Sequence, residues 1–488
     1  MTNIKYETSI NLDAKLEAFP YQHEAYLELR DKPYAAIFHE QGLGKTKIAI
    51  DLLLYWLQCR DIDTVLIVTK KTLVKNWCDE FETHTNLEPK TLDSKHGNNF
   101  YVLNSPARVI VTNFETVSGE FERMKLYLNT RNVAIIIDES TKIKNPDAKI
   151  TQAFFQLSSY FKIRVIMTGT PVANRPYDIW AQIYFLDSGE SLGNDYKQFQ
   201  HDCDLSNDLD TDISRRGVFE NTVSSIFEKI KSFSVRETKN SGIVSLPSKV
   251  YHDLYVPFEE TQMAMYEQVR TEMQLSLRKG DETILDESPE TIKRLLRLVQ
   301  ITSNPKLLDD SYSHISAKEA LLDQVLNEVI QRNEKAIVWS SFTGNVDYFC
   351  KKYKDINAVK ITGKLSVADR NKSVDRFKKG NAQVLFATPQ SAKEGLTLTV
   401  ANNAIFYDRG FNLDDYLQAQ DRIHRISQEK DCHIYNLMVE NSIDIWVDYL
   451  LKAKQNAAFL AQGDVSLSSY RNVADYSFSA IVREILNT

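Results

Sequence analysis

Residues 33–57 read PYAAIFHEQGLGKTKIAIDLLLYWL. The first part, PYAAIF (33–38), is a short apolar run of the kind that forms a buried strand. The last part, TKIAIDLLLYWL (46–57), places Ile48, Leu52 and Trp56 on one helical face. Between them lies HEQGLGKT (39–46). A phosphate-binding loop usually reads Gly-x-x-x-x-Gly-Lys-Ser/Thr. Gly44, Lys45 and Thr46 supply the end of that pattern, but His39 stands where the first glycine belongs. A bare Gly-Lys-Thr arises often by chance. Strand, glycine-containing loop and helix together are the context that the chemistry needs, because loop amides and a helix N-terminus then face an anion. In that reading Lys45 reaches the β- and γ-phosphates, and the Thr46 hydroxyl binds Mg²⁺.

Size and composition narrow the class. At 488 residues the chain predicts two to four domains. No apolar run is long enough to span a membrane. The polar start, MTNIKYETSINLDAKLE, lacks the apolar core of a secretion signal. Cys59, Cys78, Cys203, Cys350 and Cys432 lie far apart, an odd count without metal-ligand spacing. That pattern predicts reduced thiols in a cytoplasmic protein and no zinc site. A net charge of −7 excludes a globally basic nucleic-acid binder, but not one with segregated charge. Residues 351–379 hold ten Lys/Arg against three Asp, whereas 202–212 hold five Asp and no base. Taken singly, each run reads as a solvated face.

Short Val/Ile-rich runs recur in two groups. AAIF (35–38), TVLIVT (64–69), RVIVT (108–112), VAIIID (133–138) and RVIMT (164–168) form the first. AIVWS (336–340), AVKIT (358–362), QVLFAT (383–388), NAIFYD (403–408) and HIYNLM (433–438) form the second. Near-continuous apolar strands suit parallel sheets covered by helices on both faces. The expectation is therefore α/β: one domain at 1–240 with a polar insert near 188–232, a helical insertion or linker at 241–315, and a second domain at 316–463. Residues 464–488 read as a small helix of no legible role.

Two further stretches carry chemistry. VAIIIDES (133–140) ends an apolar strand in two carboxylates. Behind a phosphate loop, Asp138 is positioned to help hold Mg²⁺ and Glu139 to polarise an attacking water. DYLQAQDRIHRISQ (415–428) offers Arg422 and Arg425 three residues apart, which on a helix share a face. Arginines of this kind stabilise the charge that builds on a transferring phosphoryl group. Lying in the second domain, they predict a composite site whose closure couples ATP to motion.

Phosphate loop, Asp-Glu, Thr-Gly-Thr and Gln-x-x-x-Arg-x-x-Arg occur in that order, and from Phe19 to Asp464 the chain resembles the SWI/SNF-type helicase-like ATPases of helicase superfamily two. FPYQ (19–22) looks like the family's adenine-recognising motif, with Gln22 reading the base edge. HEQGLGKT looks like Asp-Glu-Met-Gly-Leu-Gly-Lys-Thr, so the family itself lacks the first glycine and His39 replaces an aspartate. DESTKIKNP (138–146) matches Asp-Glu-Ala-His, with Ser140 and Thr141 in place of Ala and His. TGTPVANRPYDIW (168–180) resembles the coupling motif, FSVRETK…LPSK (233–249) the inter-lobe segment, and QITSNPKLL (300–308) the Asn-His-Pro stretch.

The resemblance implies two RecA-like lobes with helical insertions and ATP with Mg²⁺ as nucleotide and cofactor. The implied nucleotide-binding residues are Gln22, Gly42, Gly44, Lys45, Thr46 and Gln418. The implied metal ligands are Thr46 and Asp138, and the implied catalytic set is Lys45, Asp138, Glu139, Arg422 and Arg425. Nucleic-acid contacts are implied at Lys70 and Trp77 of IVTKKTLVKNWCDEF (67–81), and at Thr112 and Asn113 of VTNFET (111–116). The second lobe adds Ser340 and Phe342 of WSSFTGNVDYF (339–349), Arg370 of ITGKLSVADRNKSVDRF (361–377), and Ser391 and Thr397 of SAKEGLTLT (391–399). The basic run 351–379 overlaps one of these motifs and then reads as phosphate contact. Ala392 and Lys393 replace the family's glycine pair, with Gly395 kept, and Phe411-Asn412 stands for Trp-Asn.

By resemblance the partner is double-stranded DNA, with forks or junctions as further substrates, and a protein partner such as a nuclease is compatible. Backbone contact rather than base readout predicts low sequence specificity. Three functions compete: a duplex-DNA translocase, a strand-separating or branch-migrating helicase, and an inactive ATP-binding scaffold. The intact catalytic set argues against the last. A bare motor of this size looks bacterial or phage-encoded.

Overall fold

A computed structural model describes residues 10–94, 96–205, 209–243, 246–277, 289–391, 396–425 and 427–477. It contains two all-parallel sheets. The first has strands β1 (Tyr34–Ile37), β2 (Thr64–Thr69), β3 (Lys90–Thr91), β4 (Val109–Asn113), β5 (Val133–Asp138), β6 (Ile163–Met167) and β7 (Ser234–Val235), in the order β3-β4-β2-β5-β6-β1-β7. The second has β8 (Lys249–Val256), β9 (Ala336–Trp339), β10 (Val359–Ile361), β11 (Val384–Ala387), β12 (Asn403–Phe406) and β13 (Cys432–Val439), in the order β10-β11-β9-β12-β13-β8. Every pairing is parallel.

Physical patterning explains the central strands. β2 is buried at all six residues, and β4, β9 and β11 are buried throughout, so each has a continuous apolar centre. Ile48, Leu52 and Trp56 of the helix Lys45–Cys59 are fully buried in the first core, together with Ile67, Val111, Ile136 and Val165 of the sheet. The Trp56 indole also donates to the Arg30 carbonyl (3.0 Å). In the second core Phe349 packs edge-on to Tyr407 (4.7 Å between ring centroids) and stacks on Phe386 (5.8 Å). Each such side chain contributes about 1.5–3 kcal/mol through burial.

The chain divides into two compact units. Unit one comprises residues up to 203, 221–244 and 460–465; unit two comprises 204–220, 245–459 and the residues from 466. The stretch expected as a helical linker, 241–315, departs from that reading. Its helices Glu260–Leu277 and Pro289–Ser303 are present, but β8 is an edge strand of the second sheet. Its residues are only partly covered, with Tyr251 and Tyr255 exposed, so it lacks the apolar continuity that marks buried strands. The polar insert near 188–232 forms the helices Tyr196–Cys203 and Ile213–Ile230.

The C-terminal stretch holds a small helix, Leu467–Val473. Its Arg471 Nε donates to Glu220 Oε2 (2.7 Å), and Tyr476 donates to Glu220 Oε1 (3.1 Å). Asp464 takes a two-pronged hydrogen bond from Arg236 (2.6 and 2.5 Å). The same guanidinium donates to the Phe38 carbonyl (2.9 Å), at the threshold of the phosphate loop. The end of the tail, 478–488, lies outside the described residues, as do Ala392, Lys393 and Gly395.

Candidate nucleotide site

β1 delivers the chain into the loop, and the helix Lys45–Cys59 carries it away. Two loop residues need glycine. Gly42 and Gly44 sit at φ +91° and +68°, a region that disfavours side chains. A Cβ on Gly44 would also lie 2.2 Å from Gln22 Nε2. The loop is therefore pressed against the helix Pro20–Leu29, where Gln22 is buried. Gln22 accepts from the Phe19 amide (3.0 Å) and donates to the Leu43 carbonyl (3.4 Å), with Tyr21 donating to the same carbonyl (3.1 Å). On the other side a Cβ on Gly169, of Thr-Gly-Thr, would meet the Gln41 amide nitrogen at 2.9 Å. The loop is thus in close contact with both the adenine-motif and coupling-motif segments.

Lys45 is buried, and its ammonium donates to the carbonyls of His39 (3.0 Å) and Glu40 (3.3 Å). His39 is buried as well, and its Nδ1 has no hydrogen-bond partner among the described residues. Burial foremost, then the charge on Lys45, pushes its imidazole down to about 4; the Val235 backbone opposes this and Arg236 reinforces it. His39 is therefore neutral at ordinary pH. A cleft of about 780 Å³ lies along the outer side of the helix Lys45–Cys59, lined by residues 12–18, Pro20, His23, Tyr26, Lys47, Asp51 and Gln58 among others, and by no residue of the loop itself.

The register between β2 and β5, Val68 opposite Ile137, brings the residues after each strand out side by side. Asp138 Oδ2 accepts from Thr69 Oγ1 (3.1 Å) and from the Trp77 indole (2.9 Å). Burial, then the neighbouring Glu139 charge, raises the Asp138 carboxyl to about 6; Trp77, Lys45 and Thr69 pull it the other way. Glu139 adopts φ +56°, a left-handed conformation that costs a non-glycine residue about 1–3 kcal/mol. Its Oε2 lies 3.9 Å from Lys70 Nζ.

Two adjacent carboxylates, one of them buried enough to be pushed toward protonation, fit a divalent cation. Carboxylate oxygens of this kind, and the hydroxyl of Thr46 at the start of the helix after the loop, are the hard donors that Mg²⁺ takes.

Several residues that the resemblance gives to nucleic acid have partners within the chain. Trp77 is 1% exposed, and its indole donates to Asp138 (2.9 Å). Thr112 is buried against the Leu92 carbonyl (3.3 Å), and Asn113 caps the helix Phe114–Gly119 through the Thr116 amide (3.0 Å). Ser340 is buried and donates to Asp408 (2.5 Å). That carboxylate also receives Ser303 Oγ (2.9 Å) and the Ser341 amide (2.6 Å), forming a hub that no motif announces. Thr397 accepts from Arg425 (2.8 Å), and Ser391 donates to the Ile361 carbonyl (3.0 Å). Lys70, Phe342 and Arg370 remain partly exposed. In the basic run, Lys352 is engaged by Glu319 (2.9 Å) and Asp323 (2.8 Å), and Lys360 by Asp347 (2.5 Å).

Arg422 and Arg425 do not share a helix, since the helix Leu413–Gln420 ends before them. Each Nε instead donates to the carbonyl four residues back, Gln418 and Asp421 respectively (both 3.0 Å). This satisfies carbonyls that a helix end leaves open. Arg422 is 1% exposed. Gln418 is buried and donates to Asp414 (2.8 Å).

One of the family departures, Ser140, acquires a contact. Ser140 donates to Gln182 (2.7 Å), whose amide donates to the Pro171 and Asp178 carbonyls (both 2.8 Å). Asp178 accepts from Lys144 (2.9 Å) and the Asn174 amide (2.8 Å). Ser140, where the family has alanine, therefore ties the Asp-Glu segment to the Thr-Gly-Thr segment. No physical signal in the sequence marks Asp178 or Asp408, which look like ordinary surface acids until their donors are seen.

A phosphate loop on one parallel sheet, and an arginine-bearing turn on a second, define the helicase-like class of P-loop proteins. The SNF2-related domain matches residues 26–307, and the helicase conserved C-terminal domain matches 317–427. The chain belongs to the SNF2-related family. It is 28% identical to an uncharacterized ATP-dependent helicase of Mycoplasma pneumoniae, over 85% of this chain and 39% of that protein. It is 26% identical to the putative ATP-dependent helicase/translocase YwqA of Bacillus subtilis (89% and 48%), and 25% to the ISWI chromatin-remodeling complex ATPase ISW2 of Saccharomyces cerevisiae (83% and 37%). The chain thus spans less than half the length of these relatives. Among solved structures, the Sulfolobus solfataricus SWI2/SNF2 ATPase core in complex with dsDNA is similar at 21% identity and a TM-score of 0.43, over 95% of this chain and 98% of that one. Among the described residues no helix is long and apolar enough to cross a membrane.

Proposed function

We propose that the chain is an ATP-driven motor acting on double-stranded DNA in the cytoplasm. The observation that carries this reading is the carboxylate pair: Asp138 is oriented by Thr69 and Trp77 beside a phosphate loop, with Glu139 next to it. A passive nucleotide scaffold has no need of a second, strained carboxylate at that place.

The roles follow from chemistry. Lys45 exchanges its loop carbonyls for β- and γ-phosphate oxygens when ATP binds. Thr46 and Asp138 would hold Mg²⁺, which neutralises phosphate charge when bound. Glu139 orients and polarises the attacking water. Arg425, the less buried of the two arginines, supplies positive charge to the γ-phosphate during turnover, and Arg422 keeps the turn in shape. Low sequence preference follows from backbone contact.

The test is the ATPase rate without nucleic acid and with duplex DNA, single-stranded DNA, forked DNA and RNA, followed by ATP-driven displacement of a third strand from a triplex. Duplex stimulation with triplex displacement is the expected result. Stimulation by RNA alone, or unwinding of a tailed duplex without triplex displacement, would overturn it.

A further inference from the structure

We propose that Lys70 is a latch on the catalytic glutamate, released when a nucleic-acid phosphate takes its ammonium. The inference rests on the DNA-motor reading above for the identity of the releasing ligand, but not for the latch itself.

The geometry begins with strand register. Lys70 follows β2 and Glu139 follows β5, and these strands are neighbours. The Thr69–Asp138 hydrogen bond fixes the two strand ends together, so Lys70 and Glu139 leave from adjacent points. Their charged atoms are 3.9 Å apart. At that distance they form an ion pair without a hydrogen bond, a contact held by charge more than by geometry. Glu139 Oε2 is buried and receives no hydrogen bond from the described residues. Lys70 is the cation paired with it, and the Lys70 side chain is 19% exposed.

Function sets two demands that this pair cannot meet together. Glu139 must offer its oxygen to a water in line with the γ-phosphate. An ammonium beside that oxygen competes with the water and draws the carboxylate toward β2. Part of the Lys70 side chain reaches solvent, and a DNA backbone offers its ammonium a row of phosphates in place of a single carboxylate. One lysine cannot neutralise both. Phosphate contact therefore frees Glu139, and hydrolysis becomes conditional on the track. Trp77 and Thr69 keep Asp138 in place throughout, so the change is confined to Glu139. Lys70 is a positioning residue here, acting through Glu139.

The test uses the full chain carrying Lys70→Met or Lys70→Arg. Loss of an ion pair of this exposure shifts a two-state equilibrium by roughly fivefold. Lys70→Met is expected to raise the DNA-free kcat about fivefold, and to lower the ratio of DNA-stimulated to DNA-free kcat by the same factor. Lys70→Arg, which keeps a cation, restores that ratio toward wild type. The split between kcat and half-saturating DNA separates the latch from a simple phosphate contact, which would move only the latter. A DNA-free rate in Lys70→Met at or below wild type overturns the latch, provided the thermal midpoint is unchanged; a lowered midpoint passes the decision to Lys70→Gln, judged by the same rate. If duplex DNA leaves the wild-type rate flat while Lys70→Met raises it, the latch holds and the DNA reading falls.

Discussion

Consider His39→Asn. The native imidazole is buried and held near pH 4, against about 6.5 in the unfolded chain. Its folded value is the lower one. The unfolded state therefore binds a proton first as pH falls, and stability is full above 6.5 and drains away down to about 4. The whole displacement is worth about 3.4 kcal/mol, of which about 2 kcal/mol is lost between pH 7.5 and 5. Asp138 works in the opposite direction, since its folded value is raised to about 6 and its native state takes up a proton over the same window. A single pH scan would mix the two. The difference between wild type and His39→Asn isolates the histidine, because both proteins keep Asp138. Replacing Trp339 and Trp446 by Phe in both proteins leaves Trp56, Trp77 and Trp180, all in the first unit, as reporters of its unfolding. Urea titrations at the two pH values then give the number. The variant is expected to gain about 2 kcal/mol relative to wild type on going to pH 5. Parallel curves, differing by less than about 0.5 kcal/mol between the two pH values, would refute the buried neutral imidazole.

Other perturbations address the site directly. Lys45→Ala should abolish nucleotide binding in a fluorescent-ATP titration, and Glu139→Gln should bind normally yet not turn over; near-wild-type turnover in the latter would sink the assignment. Arg425→Ala should lower kcat by about 10³-fold with a much smaller change in nucleotide affinity, and equal losses in both would argue for a binding role. Trp77→Phe removes one of two donors to Asp138 Oδ2 and should weaken Mn²⁺ binding in the nucleotide complex, read by electron paramagnetic resonance, about 10–100-fold; unchanged affinity would make the indole a packing residue only. Reversing the exposed Lys372, Arg376 and Lys379 to Glu should flatten the salt dependence of duplex binding by about 0.9 in log–log slope for each DNA phosphate that is no longer neutralised, and an unaltered slope would return that helix to the solvated surface.

The sequence was legible where burial is two-sided. Strands such as Thr64–Thr69 and Val133–Asp138 appear in the structure at the boundaries their apolar runs predict, because their central residues are covered on both faces and polar side chains stand only at their ends. It was opaque at sheet edges. β8 carries Tyr, His and Asp on a half-covered surface, and β3 and β7 are only two residues long, too short for any period. The phosphate loop and the carboxylate pair were legible because their chemistry forces residue types into fixed spacing. The donors around them were not. Trp77 looked like a surface contact, since a motif string carries no information about which way an indole faces. Arg422 and Arg425 have helical spacing without a helix, because a turn with side chain–carbonyl bonds preserves the same interval. Asp408 gathers its donors from segments far apart in sequence, and only the folded chain brings them together.

The bond between Arg236 and Asp464 has a consequence for the order in which the protein is made. The partners are 228 residues apart. A ribosome adding about 5–20 residues per second needs roughly 10–50 s to cover that interval. For that time the first sheet can be complete in strands while the guanidinium beside the Phe38 carbonyl lacks its carboxylate. The Arg236–Asp464 pair therefore forms only after the second sheet has been synthesised. A chain stopped before residue 464 would carry all seven strands of the first sheet and still leave Arg236 without this carboxylate.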